Sequence, residues 1–172
     1  MRKQARDRGG PIGDFLEADH RRLDALWQTA VADNRAVDHV AYDPFRVGLL
    51  RHIGMEEKIL LPAVQQACGG SPLPIAAKLR LDHGAIASLL MPTPTAAIIE
   101  MLRRILADHN EIEEGPDGWY ETSETLVGAE VEQIVARFQA APPVNVLPYS
   151  DTATVMNTVR RAVERAGYRF KE

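Results

Sequence analysis

A chain of 172 residues, 45% hydrophobic and 26% charged, is long enough to bury one substantial core and lies in the ordinary globular range. The formal net charge of −4, with no long Lys/Arg run, excludes nucleic acid and anionic membrane as first expectations for a partner. One cysteine, Cys68, rules out an intramolecular disulfide and a cysteine-based zinc cluster, and no apolar run approaches the roughly 18 residues of a bilayer crossing, so a soluble protein of the cytosol is expected.

Residues 1–13 are basic with no apolar stretch behind them, and read as a flexible tail, neither signal peptide nor anchor. A first helix is expected from Asp14 as N-cap, with Leu16, His20, Leu23 and Trp27 on one face. His39 falls in an exposed loop. Asp43, Pro44 and Phe45 open a second helix, because proline is tolerated in a first turn. Its inner face carries Phe45, Leu49, His52, Glu56, Leu60 and Ala63, and the CGGSP segment ends it.

A third helix, from about Pro72 to Met91, aligns Ala76, Leu79, His83, Ile86 and Leu90. Pro92 and Pro94 break the chain, since neither can sit inside a helix. A fourth helix aligns Ile98, Leu102, Ile105, His109 and Glu113, then EGPDG interrupts near Gly115, and helical periodicity resumes from Trp119 to Ala140. An extended connector, PPVNVLP, leads to a last amphipathic helix starting near Asp151 and stopping before Gly167. The expected fold is all-α: an up-down four-helix bundle over residues 14–140, with additional C-terminal helices in an extension over 141–172.

Each of the four long helices thus places one histidine on its apolar stripe: His20, His52, His83 and His109. The second and fourth add a glutamate one turn later, Glu56 and Glu113. Positions i and i+4 lie about 40° apart around a helix and about 6 Å along it, so both side chains can reach one point. A lone His–Glu pair at this spacing is ordinarily a surface pair. Four imidazoles and two carboxylates inside an apolar core are costly unless something satisfies them. Imidazole nitrogen with carboxylate oxygen suits Fe, Mn or Zn, and two bridging glutamates suit a pair of ions. Glu57 and Glu114 sit about 100° further round and are expected as outer partners or surface groups. Asp19, Asp82 and Asp108 each precede one of these histidines and default to solvated surface. Leu23, Trp27, Leu49 and Leu90 are expected as walls that keep the centre dry, and Cys68 as inert.

With the lone His20, the HIGMEEKILLP segment, the lone His83 and the HNEIEE segment, residues 14–140 resemble the hemerythrin-like HHE cation-binding domain family. The resemblance implies two iron ions with an oxo or hydroxo bridge, His20 and His52 on one, His83 and His109 on the other, and Glu56 and Glu113 bridging. It also implies a small-molecule partner, O2, NO or peroxide, in sensing, storage, stress protection or iron–sulfur repair. Two departures stand out. Oxygen-carrying hemerythrins have a further histidine where this chain has Ala87, and the GPDG segment interrupts a helix that is usually continuous, leaving the orientation of Tyr120 open.

Two other functional classes compete. A metal-dependent oxidase or hydrolase is disfavoured, because ferritin-like sites use Glu-x-x-His at i, i+3 on paired helices, whereas the pairs here run His first at i, i+4, and the zinc-protease HExxH is absent. The other is a metal-free helical interaction domain, with the last helix as a candidate homodimer surface.

Overall fold

The computed structural model describes residues 10–33 and 36–170. Every regular element among them is helical: α1 (Pro11–Ala30), α2 (His39–Met55), a wide turn (Glu56–Leu60) leading into α3 (Leu61–Ala67), α4 (Pro74–Leu89), α5 (Ala96–Glu114), α6 (Trp119–Val127), a tight turn (Gly128–Glu130), α7 (Val131–Gln139) and α8 (Ala153–Arg165). Residues 1–9 of the expected tail lie outside the described residues. Pro11–Gly13 are not tail but the first turn of α1, capped by Gly10 and not by Asp14. Proline is pre-shaped for that turn, and Glu124 of α6 accepts the Ile12 N–H at 3.1 Å, so a distant carboxylate supplies the cap.

Helix α2 also begins earlier than Asp43. Asp38 is its N-cap and accepts from the Val40 N–H at 2.8 Å, which leaves Pro44 inside the helix. His39 is accordingly a helical residue, though exposed as expected. At Glu56–Leu60 the helix widens, the Leu61 N–H reaching back five residues to the Glu56 carbonyl. The extra residue shifts the inner face by one, so Leu61 and Val64 are buried where straight periodicity put Ala63. A further break missed by periodicity is Gly128, whose φ of 53° separates α6 from α7.

Two apolar clusters fill the interior. One gathers Leu23, Trp27, Leu49, Ile86, Leu102 and Ile105 at the end of the long helices nearest the Pro92–Pro94 break. The other gathers Leu16, Met55, Leu60, Leu79, Trp119 and Phe138 at the opposite end. Each long helix passes from one cluster to the other, and its histidine lies between, as His20 does between Leu16 and Leu23. A polar layer therefore lies between apolar layers above and below. Helix α8 packs on α4 and buries Val159 and Val163 within the chain.

The GPDG segment turns the chain sharply: the Gly118 N–H bonds the Gly115 carbonyl at 2.9 Å and Asp117 sits at φ 56°. A Cβ on Gly118 would lie 2.6 Å from the Glu113 carbonyl and 2.7 Å from that of Gly115, both backbone atoms with nowhere to go. Gly118→Ala is therefore expected to destabilise the fold by about 1–3 kcal/mol and to displace Tyr120. Denaturant melts and the near-ultraviolet signal of Tyr120 and Trp119 check it; an unchanged midpoint would refute the close-approach argument.

Candidate metal centre

The period of each long helix turns one histidine inward, and the four meet in one layer. His52, His83 and His109 are buried, and His20 nearly so. The His20 and His52 rings lie 4.4 Å apart between centroids, and those of His83 and His109 4.8 Å. Donor atoms of Glu56, His83, His109 and Glu113 fall within 4.8 Å of one another, as do those of His20, His52 and Glu113. All six residues expected from the sequence are thus brought together, in the two histidine pairs α1–α2 and α4–α5.

The glutamates sit between the pairs. Glu113 Oε1 is 3.0 Å from His109 Nε2 and 3.9 Å from His83 Nε2, while its Oε2 is 3.6 Å from His20 Nε2. Glu56 Oε2 is 3.1 Å from His83 Nε2 and 3.8 Å from His52 Nε2. Each of these four histidines presents Nε2 to this centre.

The opposite nitrogen of each ring is held from the neighbouring helix. Asp19 of α1 takes His52 Nδ1 at 3.0 Å, and Glu57 beyond α2 takes His83 Nδ1 at 2.7 Å. Asp82 of α4 takes His109 Nδ1 at 3.4 Å, and Glu114 of α5 takes His20 Nδ1, closing the ring. Glu57 and Glu114 are outer partners as expected. Asp19 and Asp82 are not solvated surface: because adjacent helical positions diverge by about 100°, each of these two points away from its own histidine and reaches the histidine of the next helix. Asp108 instead accepts from the Tyr168 hydroxyl at 3.1 Å. The signal was present in the doubled order Asp-His followed by His-x-x-x-Glu-Glu, but which helix each aspartate meets is a tertiary fact.

Burial opposes ionisation of Asp19 and Asp82, yet hydrogen bonds from His52 and His109, with Arg22 and Lys78, outweigh it and hold both below the ordinary carboxylate range. Glu57 is lowered chiefly by its hydrogen bond from His83. These groups are carboxylates that only accept, so Nδ1 carries the proton and, in the neutral ring, Nε2 offers a lone pair inward. Consistent with this, both oxygens of Glu56, Glu113 Oε1 and His83 Nε2 are buried without a hydrogen-bond partner. Orphaned acceptors packed nose to nose are what a cation satisfies, and nitrogen with carboxylate oxygen fits Fe, Mn or Zn.

Tyr120 does face the centre. Its hydroxyl donates to Glu113 Oε2 at 3.0 Å and lies 3.4 Å from Nε2 of both His20 and His52. Burial and the two glutamates raise its pKa well above the usual value, so it keeps its proton. Leu23, Trp27 and Leu49 line a cavity against the histidines as expected, whereas Leu90 does not; its carbonyl instead accepts from Arg46 at 2.6 Å.

In protein treated with chelator, His83 and His109 take protons instead. Burial disfavours the imidazolium, but Glu56 and Glu57 raise His83 to about 9, and Glu113 with Asp82 raises His109 to about 10. Both lie above the ordinary 6.5, so their stabilisation is full below that value and is lost as pH rises through 9 and 10. Chelated protein is expected to melt progressively earlier as pH rises from about 6.5 to about 10. Melts at stepped pH check this; stability constant from neutral to alkaline pH would refute it.

No protein-family model, curated protein or solved structure matches the chain.

Proposed function

We propose that the chain is a hemerythrin-like, non-heme di-iron protein whose long helices α1, α2, α4 and α5 form an up-down four-helix bundle. It binds or reacts with O2, NO or peroxide in sensing, storage, stress protection or iron–sulfur repair. The observation that carries this is the closed ring of four histidines, each with Nδ1 on a carboxylate from a neighbouring segment and Nε2 turned toward Glu56 and Glu113, three of whose four carboxylate oxygens are buried without a hydrogen-bond partner. A metal-free interaction domain gains nothing from four buried imidazoles and two buried carboxylates.

His20 and His52 would hold one ion, His83 and His109 the other, with Glu56 and Glu113 shared between them. Bound iron would supply a redox change and an open position for the small molecule; the same donors accept Mn or Zn. The outer carboxylates fix the ring orientations and make each Nε2 a better donor. The Tyr120 hydroxyl, 3.0 Å from Glu113 Oε2, holds its proton toward that carboxylate beside the His20–His52 half. The two apolar clusters keep bulk water from both ends of the polar layer.

An iron count with an optical spectrum tests the reading. About two irons per chain and absorption of an oxygen-bridged ferric pair are expected. Chelation should lower the melting midpoint by on the order of 10 °C, since a ligand about a thousandfold above its Kd stabilises by about 4 kcal/mol. Colourless, metal-free protein with an unmoved midpoint after metal is offered would leave a metal-free helical domain.

A further inference from the structure

The layer of histidines is not closed on its α1–α5 side. A cavity of about 260 Å³ opens there to solvent and ends on His20, His52, Glu56 and His109. Its walls are apolar: Leu23, Trp27, Phe45, Leu49, Ile86 and Leu106. The Trp27 and Phe45 rings pack at 5.0 Å between centroids with a 52° tilt, so the aromatic wall is itself held in place. The mouth is polar, with Asp24 and Gln28 on α1 facing Arg103 and Asn110 on α5. Arg103 is already paired with Glu100 at 3.1 Å, so the entrance carries no uncompensated positive charge.

The size is informative. A diatomic needs about the volume of one or two waters, ~30–60 Å³, and two ions with a bridging oxygen at the histidine end displace ~60–90 Å³. An apolar cavity of ~150 Å³ is enough to hold benzene. From the space that remains, the apolar walls and a polar rim whose one cation is already paired and whose Asp24 carboxylate accepts from Gln28 at 3.2 Å, we infer that the cavity binds a small uncharged organic molecule, with one aromatic ring or a short chain buried and a single hydroxyl or carbonyl oxygen at the mouth. Gln28 and Asn110 meet that oxygen, while the ring lies between Trp27, Leu49 and Leu106 and reaches the inner edge of the histidines. That such a molecule is a substrate or effector of a metal centre rests on the di-iron reading; its binding does not.

The test titrates benzyl alcohol and 1-pentanol into metal-loaded and chelated protein, by calorimetry and by tryptophan fluorescence, with benzoate as the charged control. Saturable binding at a Kd of about 1 mM or tighter is expected for ligands of this size, and benzoate should bind at least about tenfold more weakly. Leu106→Trp fills the cavity, and Ala107→Trp narrows its mouth from an exposed position that disturbs no core; each should weaken binding about tenfold or more with the metal count unchanged. Absence of saturable binding in protein that holds its metal, or binding indifferent to both variants, overturns the inference. Probe binding in protein that takes no metal would support the cavity and remove the di-iron reading alone.

Discussion

Glu113→Ala is expected to lose metal from both halves of the centre, leaving well under one ion of about two per chain. Glu113 is the residue common to both donor sets, its Oε1 toward His109 and His83 and its Oε2 toward His20. Glu56 belongs to the donor set of His83 and His109, so Glu56→Ala should empty that half more completely than the other. The Glu113 loss has a second consequence in chelated protein. The imidazolium of His109 and the raised pKa of His20 both depend on carboxylates, Glu113 among them, and the Tyr120 hydroxyl loses its acceptor. A buried charge left without its partner destabilises by about 3–5 kcal/mol, so the chelated variant should melt well below chelated parent protein. Metal analysis and melts at pH 7 check both parts. Two ions retained by the variant would remove Glu113 from the centre.

Asp82→Ala is expected to weaken metal binding by about 10–100-fold and, unlike the other outer carboxylates, to destabilise the fold by a few kcal/mol as well. Asp82 is fully buried and joins two systems. One oxygen fixes His109 at 3.4 Å; the other receives the Lys78 ammonium at 2.6 Å. Lys78 also donates to the Ala166 carbonyl at 3.1 Å, at the end of α8, and lies 5.0 Å from the Tyr168 ring centre. Removing the carboxylate therefore frees the His109 ring and leaves the ammonium at the α4–α8 junction without its counter-charge. Glu57→Ala is the comparison: its side chain is 29% exposed and its bond to His83 lies near water, so affinity should fall with little change in stability. Chelator competition measures the first effect and denaturant melts the second. An Asp82 variant with parental affinity would dismiss its role in orienting His109.

How the chain divides into helices was legible wherever a local rule decides. The Pro92–Pro94 break, the stops near Cys68 and Gly167, and the inward faces of His52, His83 and His109 all follow from proline geometry, glycine at positive φ and a period of 3.6. Failures fall where a distant group replaces a local one. Glu124 caps α1 across 112 residues of sequence, so the start at Pro11 has no local signature. Asp38 and not Asp43 caps α2, and an otherwise regular helix absorbs Pro44. The wide turn after Glu56 changes the register of everything to Ala67, and no propensity scale marks it.

The sequence by itself determined that six nitrogen and oxygen donors lie on the inner stripes of four amphipathic helices, because side-chain direction along a helix is fixed by its period. Only the tertiary structure decided the rest: that Asp19, Glu57, Asp82 and Glu114 each reach the histidine of the next helix, that the GPDG turn returns Tyr120 to Glu113, and that a cavity stays open between α1 and α5. The reason is range. Periodicity says which way a residue points, but what it meets there depends on how separate helices pack, and that is set by the apolar clusters on either side of the polar layer.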